Sequence, residues 1–401
     1  ELADDLCKRG VGIDGARGEI LAKLRETHAT APTRQVVRTV SEASDLVRAG
    51  VQEALEERTG VIARAKVSDN GKRFLGMRML RMCEELLVAR DGRHLDDHSS
   101  DAIVTRALAF SGSDFPKITE NVANKVLRQA YQAAAPTYRE IGRRTTAPDF
   151  KPMSRLQIGL GSSLAAVQEN GEIAYATFSE SKESYKLATF GRVAALTRQA
   201  IVNDDTGAFD RVPRALGAQA AIKENALAWA LFTGNVVMGD AVALFHTTHK
   251  NVPTTESALG ETGLNALRVL MRKQTDLDGT TLNLNPRFLI VPAALETAAW
   301  RNVVASVAAS SAANTSPFVG LLKVIVEPLL DAAAGGDTRY FLAADPAQVD
   351  VLEYAFLDGR DGPQVQTFFD PKFDGIMYRI LHDFAVAPID FRGLVRSQGT
   401  A

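Results

Sequence analysis

Cysteine is nearly absent: only Cys7 and Cys83 occur in 401 residues. They lie far apart and in no metal-ligand spacing, which excludes a disulfide-stapled secreted scaffold and a zinc–cysteine site and makes a reducing cytosol the default compartment. Charge of one sign is lacking too, since 46 Lys and Arg face 48 Asp and Glu for a net charge of -2. A strongly basic nucleic-acid binder does not fit that balance. Nor does a disordered chain fit 46% hydrophobic against 23% charged residues. No apolar stretch reaches the roughly 18 residues that span a bilayer, because Pro292 and Glu296 interrupt the best run. The chain opens at Glu1 with no Met, no basic n-region and no apolar signal core, so a processed product or an excised fragment is expected. At roughly 150 residues per domain the length corresponds to about 2.7 domains, which leaves one large or two to three modest domains open.

What is present changes character along the chain. Positions 1–100 hold 17 basic and 17 acidic residues, whereas the remaining 301 hold only 60 charges in all. Within that charged region Leu75, Met79, Met82 and Leu86 recur at helical spacing, with Ser68 and Asp69 as caps and Gly92 as a stop. A few helices with polar connectors are expected, with only a thin core of their own, because each helix carries few large aliphatics. The basic run Arg64, Lys66, Lys72, Arg73, Arg78 and Arg81 reads as a solvated helix face ahead of a nucleic-acid contact.

An amphipathic helix is predicted around 118–134, stopped by Pro136. From Arg155 the period becomes two, in Leu156, Ile158 and Leu160, then Ile173, Tyr175 and Thr177, then Tyr185, Leu187 and Thr189. Between them stands Gln168-Glu169-Asn170-Gly171-Glu172, where Asn-Gly supplies the positive φ of a hairpin turn. Residues near 155–193 therefore read as a long, mostly polar hairpin. Such a ribbon has no core of its own and must lie on something else, with a neighbouring subunit the obvious support. A long helix follows through Phe209, Val212, Leu216, Ala220, Leu227 and Leu231, ending at Gly234-Asn235, with Pro213 tolerable only near its start. Its small residues, Gly217 among them, leave one side slim for close approach by another backbone. Beyond it come helix 264–273, strand 287–291, helix 293–309 and strands near 322–326, 339–342, 349–355, 364–369 and 376–385. The class is α+β rather than a regular βαβ alternation.

Enzyme-like fragments fail in context. Ser179-Glu180-Ser181-Lys182 has the S-x-x-K spacing, but it falls in a ribbon and its S-D-N, at Ser68, precedes it. His246-Thr247-Thr248-His249 spaces two imidazoles for a metal, and a metal-dependent hydrolase using His246 and His249 stands as the alternative of another class. The segment reads as loop, however, with hydrogen-bonding histidines and no H-E-x-x-H. Gly159-Leu160-Gly161 opens no helix, Asp276-Leu277-Asp278-Gly279 is a turn, and Asp96-Asp97 and Asp204-Asp205 lack a partner constellation. No catalytic, cofactor-binding or metal residue is assigned and no cofactor is expected. That pattern points to a structural or assembly protein rather than an enzyme.

Longer stretches carry a resemblance. Ser111-Gly112-Ser113-Asp114-Phe115-Pro116, Thr145-Thr146-Ala147-Pro148-Asp149-Phe150-Lys151, Tyr185-Lys186-Leu187-Ala188-Thr189-Phe190-Gly191, Thr197-Arg198-Gln199-Ala200-Ile201, Leu244-Phe245-His246-Thr247-Thr248-His249 and Pro286-Arg287-Phe288-Leu289-Ile290-Val291-Pro292 resemble, in unbroken order over about 105–396, the capsid portion of phage prohead protease/major capsid protein fusions. A weaker similarity to the Mu-type head subunit surrounds 244–251. The resemblance implies an HK-97-like α+β fold with an N-terminal arm at 111–154, an E-loop hairpin at 155–193, a peripheral domain with a spine helix at 194–261 and 346–401, and an axial domain at 262–345. Residues 1–110 would be a charged helical scaffolding or linker segment.

It further implies a major capsid protein of a tailed phage or prophage, forming hexamers and pentamers of an icosahedral shell around double-stranded DNA. Assembly would take place in the bacterial host cytoplasm, with residence in the virion. An encapsulin-like compartment shell is the alternative within the fold. Implied partners are further copies of the chain, a prohead protease, a portal protein, decoration proteins and weakly held packaged DNA, with no membrane. The protease domain itself is absent, so no proteolysis carries over. The hairpin tip Gln168, Glu169, Asn170, Gly171 and Glu172 would be a subunit contact, and Lys182 and Lys186 are candidate cross-link donors.

Overall fold

The computed structural model describes residues 40–91, 99–108, 114–158, 180–203, 206–303, 317–368 and 375–400. Among the described residues the longer helices α1 (Val40–Arg58), α2 (Met79–Asp91), α3 (Ser100–Leu108) and α4 (Asp114–Ala133) precede the strands. Ser68 does act as a cap, accepting from the Gly71 amide, but for the one-turn helix Asp69–Lys72; α2 starts later, at Met79. The region's own thin core is completed from outside it. Val51, Leu55, Phe74, Met82 and Leu86 join Ile118, Val122 and Val126 of α4 and Val365, Ile376 and Ile380 in one cluster. The charged helices thus borrow apolar surface from α4 and from a later sheet, which is how elements poor in large aliphatics still bury a face.

α4 has buried residues at Phe115, Ile118, Val122, Val126 and Ala130, one stripe at helical spacing. It leads through a 3-10 turn, Thr137–Glu140, into β1 (Gly142–Ala147), which pairs in parallel with β8 (Leu352–Leu357). This stretch, expected as an N-terminal arm, is here built into the body because its helix is apolar on one side and its strand finds a partner. Next come β2 (Met153–Ile158), β3 (Glu180–Tyr185), β4 (Ala188–Thr197), a short α5 (Arg198–Val202) and the 28-residue α6 (Thr206–Thr233), with Pro213 at its eighth residue.

The expected slim side of α6 is real. A Cβ on Gly217 would lie 2.4 Å from the Leu127 carbonyl oxygen, so α4 and α6 touch backbone to backbone there. Then follow α7 (Glu261–Arg272), β5 (Pro286–Val291), α8 (Glu296–Val303), β6 (Lys323–Val326), β7 (Tyr340–Ala344), β8, β9 (Gln364–Phe368), β10 (Gly375–Pro388) and β11 (Leu394–Ser397).

Three sheets result: a five-stranded one in the order β1-β8-β10-β4 with β9 also on β10, a four-stranded one in the order β11-β7-β5-β6, and the two-stranded ribbon β2-β3. The class is α+β as expected, with β5 and β6, on either side of α8, paired in parallel. Two expected boundaries move. β4 lies in the five-stranded sheet, with Phe190 opposite His382, so residues 188–193 are not part of the hairpin. β11 pairs with β7, so residues 394–397 lie in the four-stranded sheet and not in the one that holds β8–β10; Leu394 and Val395 are fully buried there.

The two large sheets share a core. Trp229, Phe232, Phe245 and Phe341 pack in tilted and edge-to-face pairs with ring centroids 5.0–6.0 Å apart, in a cluster that also holds Phe288, Tyr354 and Phe384. Each such ring contributes about 1.5–3 kcal/mol on burial, so the two sheets and α6 stand or fall together. Among the described residues no helix is long and apolar enough to cross a membrane.

Candidate functional site

The ribbon is the element whose sequence demands an external support, and its base shows how it is held. In β2 and β3 alternate residues point to opposite faces, with Met153 opposite Tyr185 and Ile158 opposite Glu180. One face turns toward the body. Arg155 Nε donates to both carboxylate oxygens of Glu353 at 2.7 and 2.9 Å, its Nη2 reaches Thr145 Oγ1 at 2.9 Å, and the Tyr185 hydroxyl also donates to Glu353. Glu353 is buried on β8. Burial raises the Tyr185 phenol above its ordinary range, and the Glu353 carboxylate beside it adds to the rise.

Two further contacts complete the clamp. Gln157 Nε2 donates to the Ile389 carbonyl, and Arg392 Nη2 reaches Gln157 Oε1 at 3.3 Å. Arg392 is itself held by Asp390 at 2.6 Å and by Asp276. Glu183 accepts from the Gly239 amide at 2.9 Å. Between ribbon and body lies a cleft of about 570 Å³, lined by Arg143, Arg155, Gln157, Asp276, Glu353 and Arg392 among others. Its charges are paired across it, so it fixes geometry and presents no free reactive group. The ribbon's opposite face is exposed: Leu156 is 54% accessible and Lys182 is open to solvent, as is Lys186 just beyond β3. The expected contact residues Gln168, Glu169, Asn170, Gly171 and Glu172 lie outside the described residues, as do Ser179, Gly159, Asp96-Asp97 and Asp204-Asp205.

A second buried network ties α6 to its surroundings. Glu224, fully buried in the middle of α6, accepts from Tyr131 Oη at 2.5 Å, Tyr138 Oη at 2.6 Å and Arg139 Nη2 at 2.9 Å, and meets His382 Nε2 at 2.7 Å. An ionised carboxylate only accepts, so His382 carries its proton on Nε2. Burial alone would raise the Glu224 carboxyl, but His382 and the two phenols outweigh it and hold the group below the usual carboxylate range. α4, the 3-10 turn, α6 and β10 therefore meet on one side chain. Close by, Thr137 and Asn225 join Glu327, and Trp229 Nε1 donates to Thr137 Oγ1 at 2.9 Å.

The histidine pair does not form a metal site. His246 caps the 3-10 turn Thr247–His249, its ring accepting from the Thr248 amide at 3.2 Å. His249 is buried, bonded to Asp240 Oδ2 at 2.7 Å and to the Leu244 carbonyl at 3.1 Å, and stacked on Phe391 at 3.8 Å. Both His249 nitrogens are thus committed to local bonds, which corrects the hydrolase alternative. Among the described residues no group of three His, Cys, Asp or Glu is placed to hold a metal ion.

Sequence reasoning missed Glu353, Arg392 and Glu224. For Glu224 a signal existed: an acid in register with Gly217, Ala221, Ala228 and Phe232, the buried stripe of α6. For Glu353 the partner Arg155 lies 198 residues away, and Arg392, paired locally with Asp390, reaches Asp276 116 residues away; no local pattern announces those distant bonds.

A family model described as phage capsid protein matches residues 180–397, from β3 to β11. No curated protein matches the chain in sequence. Among solved structures, the capsid of bacteriophage JBD30 aligns at 15% identity over 49% of this chain and 91% of that one, with a TM-score of 0.41. Microbacterium phage Oxtober96 aligns at 8% identity over 65% and 90%, with a TM-score of 0.44. The holo-SrpI encapsulin complex of Synechococcus elongatus aligns at 11% identity over 67% and 89%, also with a TM-score of 0.44.

Proposed function

Because this chain belongs to the phage capsid protein family and is thus a structural component of a virion shell, we propose that it is the major head subunit of a tailed phage, assembling through hexamers and pentamers into an icosahedral shell around double-stranded DNA. The carrying observation is the family match over 180–397, which takes in α6, the four-stranded sheet, the five-stranded sheet except β1, and the second strand of the ribbon. In this reading the HK-97-type division would make β2-β3 and the segment between them the E-loop, α6 the spine helix, the five-stranded sheet the core of the peripheral domain, and β5–β7 with α7 and α8 the axial domain. The mechanism is complementary surface repeated over equivalent contacts.

In this reading the clamp on Glu353 and Arg392 sets the angle at which the ribbon leaves its own subunit, and the segment beyond Ile158 reaches a neighbour. A prohead protease, a portal protein and decoration proteins are the further partners. Deleting Gln168–Glu172 tests this. Sedimentation should show assembly lost or slowed while the subunit's unfolding midpoint stays near that of the intact chain. A deletion that unfolds the subunit, or one that assembles normally, would refute the ribbon's role.

A further inference from the structure

From Arg58 to Arg81 the chain carries seven Lys and Arg against a single acid, Asp69, in a protein whose net charge is -2. All seven are exposed. The backbone that displays them is tightly fixed. Val67, Phe74 and Met79 are at most 4% accessible, Glu53 accepts from the Ser68 amide at 2.8 Å, and a Cβ on Gly71 would lie 2.6 Å from both Glu53 and Val67. Apolar residues turn inward and cations outward, so the charges sit on a rigid scaffold.

Elsewhere several exposed cations are matched, as in Arg143–Asp350, Arg144–Asp361, Arg287–Asp345 and Lys323–Glu140. Here Lys72 and Arg81 have such partners, but among the described residues Arg64, Lys66, Arg73 and Arg78 have no acid within ion-pair distance. Unneutralised like charges on a fixed loop repel one another unless a polyanion covers them. We propose that the 58–81 surface binds the phosphate backbone of duplex DNA, without base readout. The choice of DNA over an acidic protein rests on the shell reading, since a head subunit encloses DNA; the cations themselves specify only a polyanion.

Counterion release supplies the test, because each phosphate contact adds about 0.9 to the slope of log affinity against log salt. Binding of the full-length chain to a fluorescent duplex of about 30 base pairs is measured between about 50 and 200 mM salt. Six contacts predict a fall of roughly 10³-fold over that range, and two contacts a fall of only about 10-fold. The variant Arg64→Gln, Lys66→Gln, Arg73→Gln and Arg78→Gln should move from the first behaviour to the second. The control Arg272→Gln, Lys273→Gln and Arg301→Gln should not. Should the fourfold variant misfold, Arg64→Gln with Lys66→Gln, in a 3-10 turn outside the long helices, should lower the slope by about 1.8.

An unchanged slope in the variants, an equal loss in the control, or binding of poly-glutamate with the duplex left unbound would each overturn the proposal. Electron microscopy of the same samples separates the two readings: shells that form while the salt slope stays unchanged sink the DNA surface alone.

Discussion

Replacing Glu224 tests the polar junction that fixes α6. The carboxylate is fully buried and collects hydrogen bonds from Tyr131, Tyr138, Arg139 and His382. In Glu224→Leu the packing volume is roughly kept, but the two phenols, one imidazole N–H and part of a guanidinium lose their acceptor. An orphaned buried donor costs about 1–3 kcal/mol, and removing one side of a buried charged pair about 3–5 kcal/mol. Relief of the carboxylate's own desolvation offsets part of the sum, so about 3–5 kcal/mol is expected overall.

Glu224→Gln should cost less, about 1–2 kcal/mol. Its oxygen can still serve Tyr138 and Arg139, while its NH₂ can face Tyr131 and a His382 that shifts its proton to Nδ1, an atom with no hydrogen-bond partner in the native arrangement. Urea unfolding of the unassembled chain, followed by circular dichroism, gives both values if the denaturant slope is unchanged. A Leu variant within about 1 kcal/mol of the parent, or a Gln variant as damaging as Leu, would refute the reasoning.

Three further outcomes follow from the same geometry. Because the native Glu224 carboxyl is held low, its contribution is fully present above the unfolded value of about 4.3 and is lost as pH falls through the native one; the urea midpoint should drop between about pH 5 and 3, and Glu224→Gln should lack that component. Gly217→Ala pushes a methyl against the Leu127 carbonyl and should destabilise by about 1–3 kcal/mol; a neutral effect by thermal unfolding would mean that the helices part freely. Arg155→Ala combined with Tyr185→Phe frees the ribbon base from Glu353, and hydrogen exchange should quicken in 153–158 and 180–185 while β10 stays protected. Uniform exchange across both regions would show that the ribbon is not a separate unit.

How much was legible depended on how local the determinant was. α4 and α6 announced themselves because burial on one face writes a 3.6-residue period into the sequence, and the small side of α6 foretold the contact at Gly217. β5 and β7, apolar and buried on both faces, read as strands from composition. β1 did not, since Arg143-Arg144-Thr145-Thr146 is polar and becomes a strand only by pairing with β8, two hundred residues later. The hairpin was read too long for a related reason. Thr189 continues the alternation of Tyr185 and Leu187, yet that period of two belongs to another sheet, and only pairing with β10 reveals the break at 186–187. The clamp at Glu353 and Arg392 was invisible for want of any local signal, as a bond between distant residues leaves none.

The most direct test of the central claim is electron microscopy of the expressed full-length chain, alone and together with the protease that the capsid fusion proteins carry. Capsomers or closed icosahedral shells built from this single polypeptide are the predicted result. A chain that stays a compact monomer at every concentration and salt tried, with the protease or without it, would contradict the account.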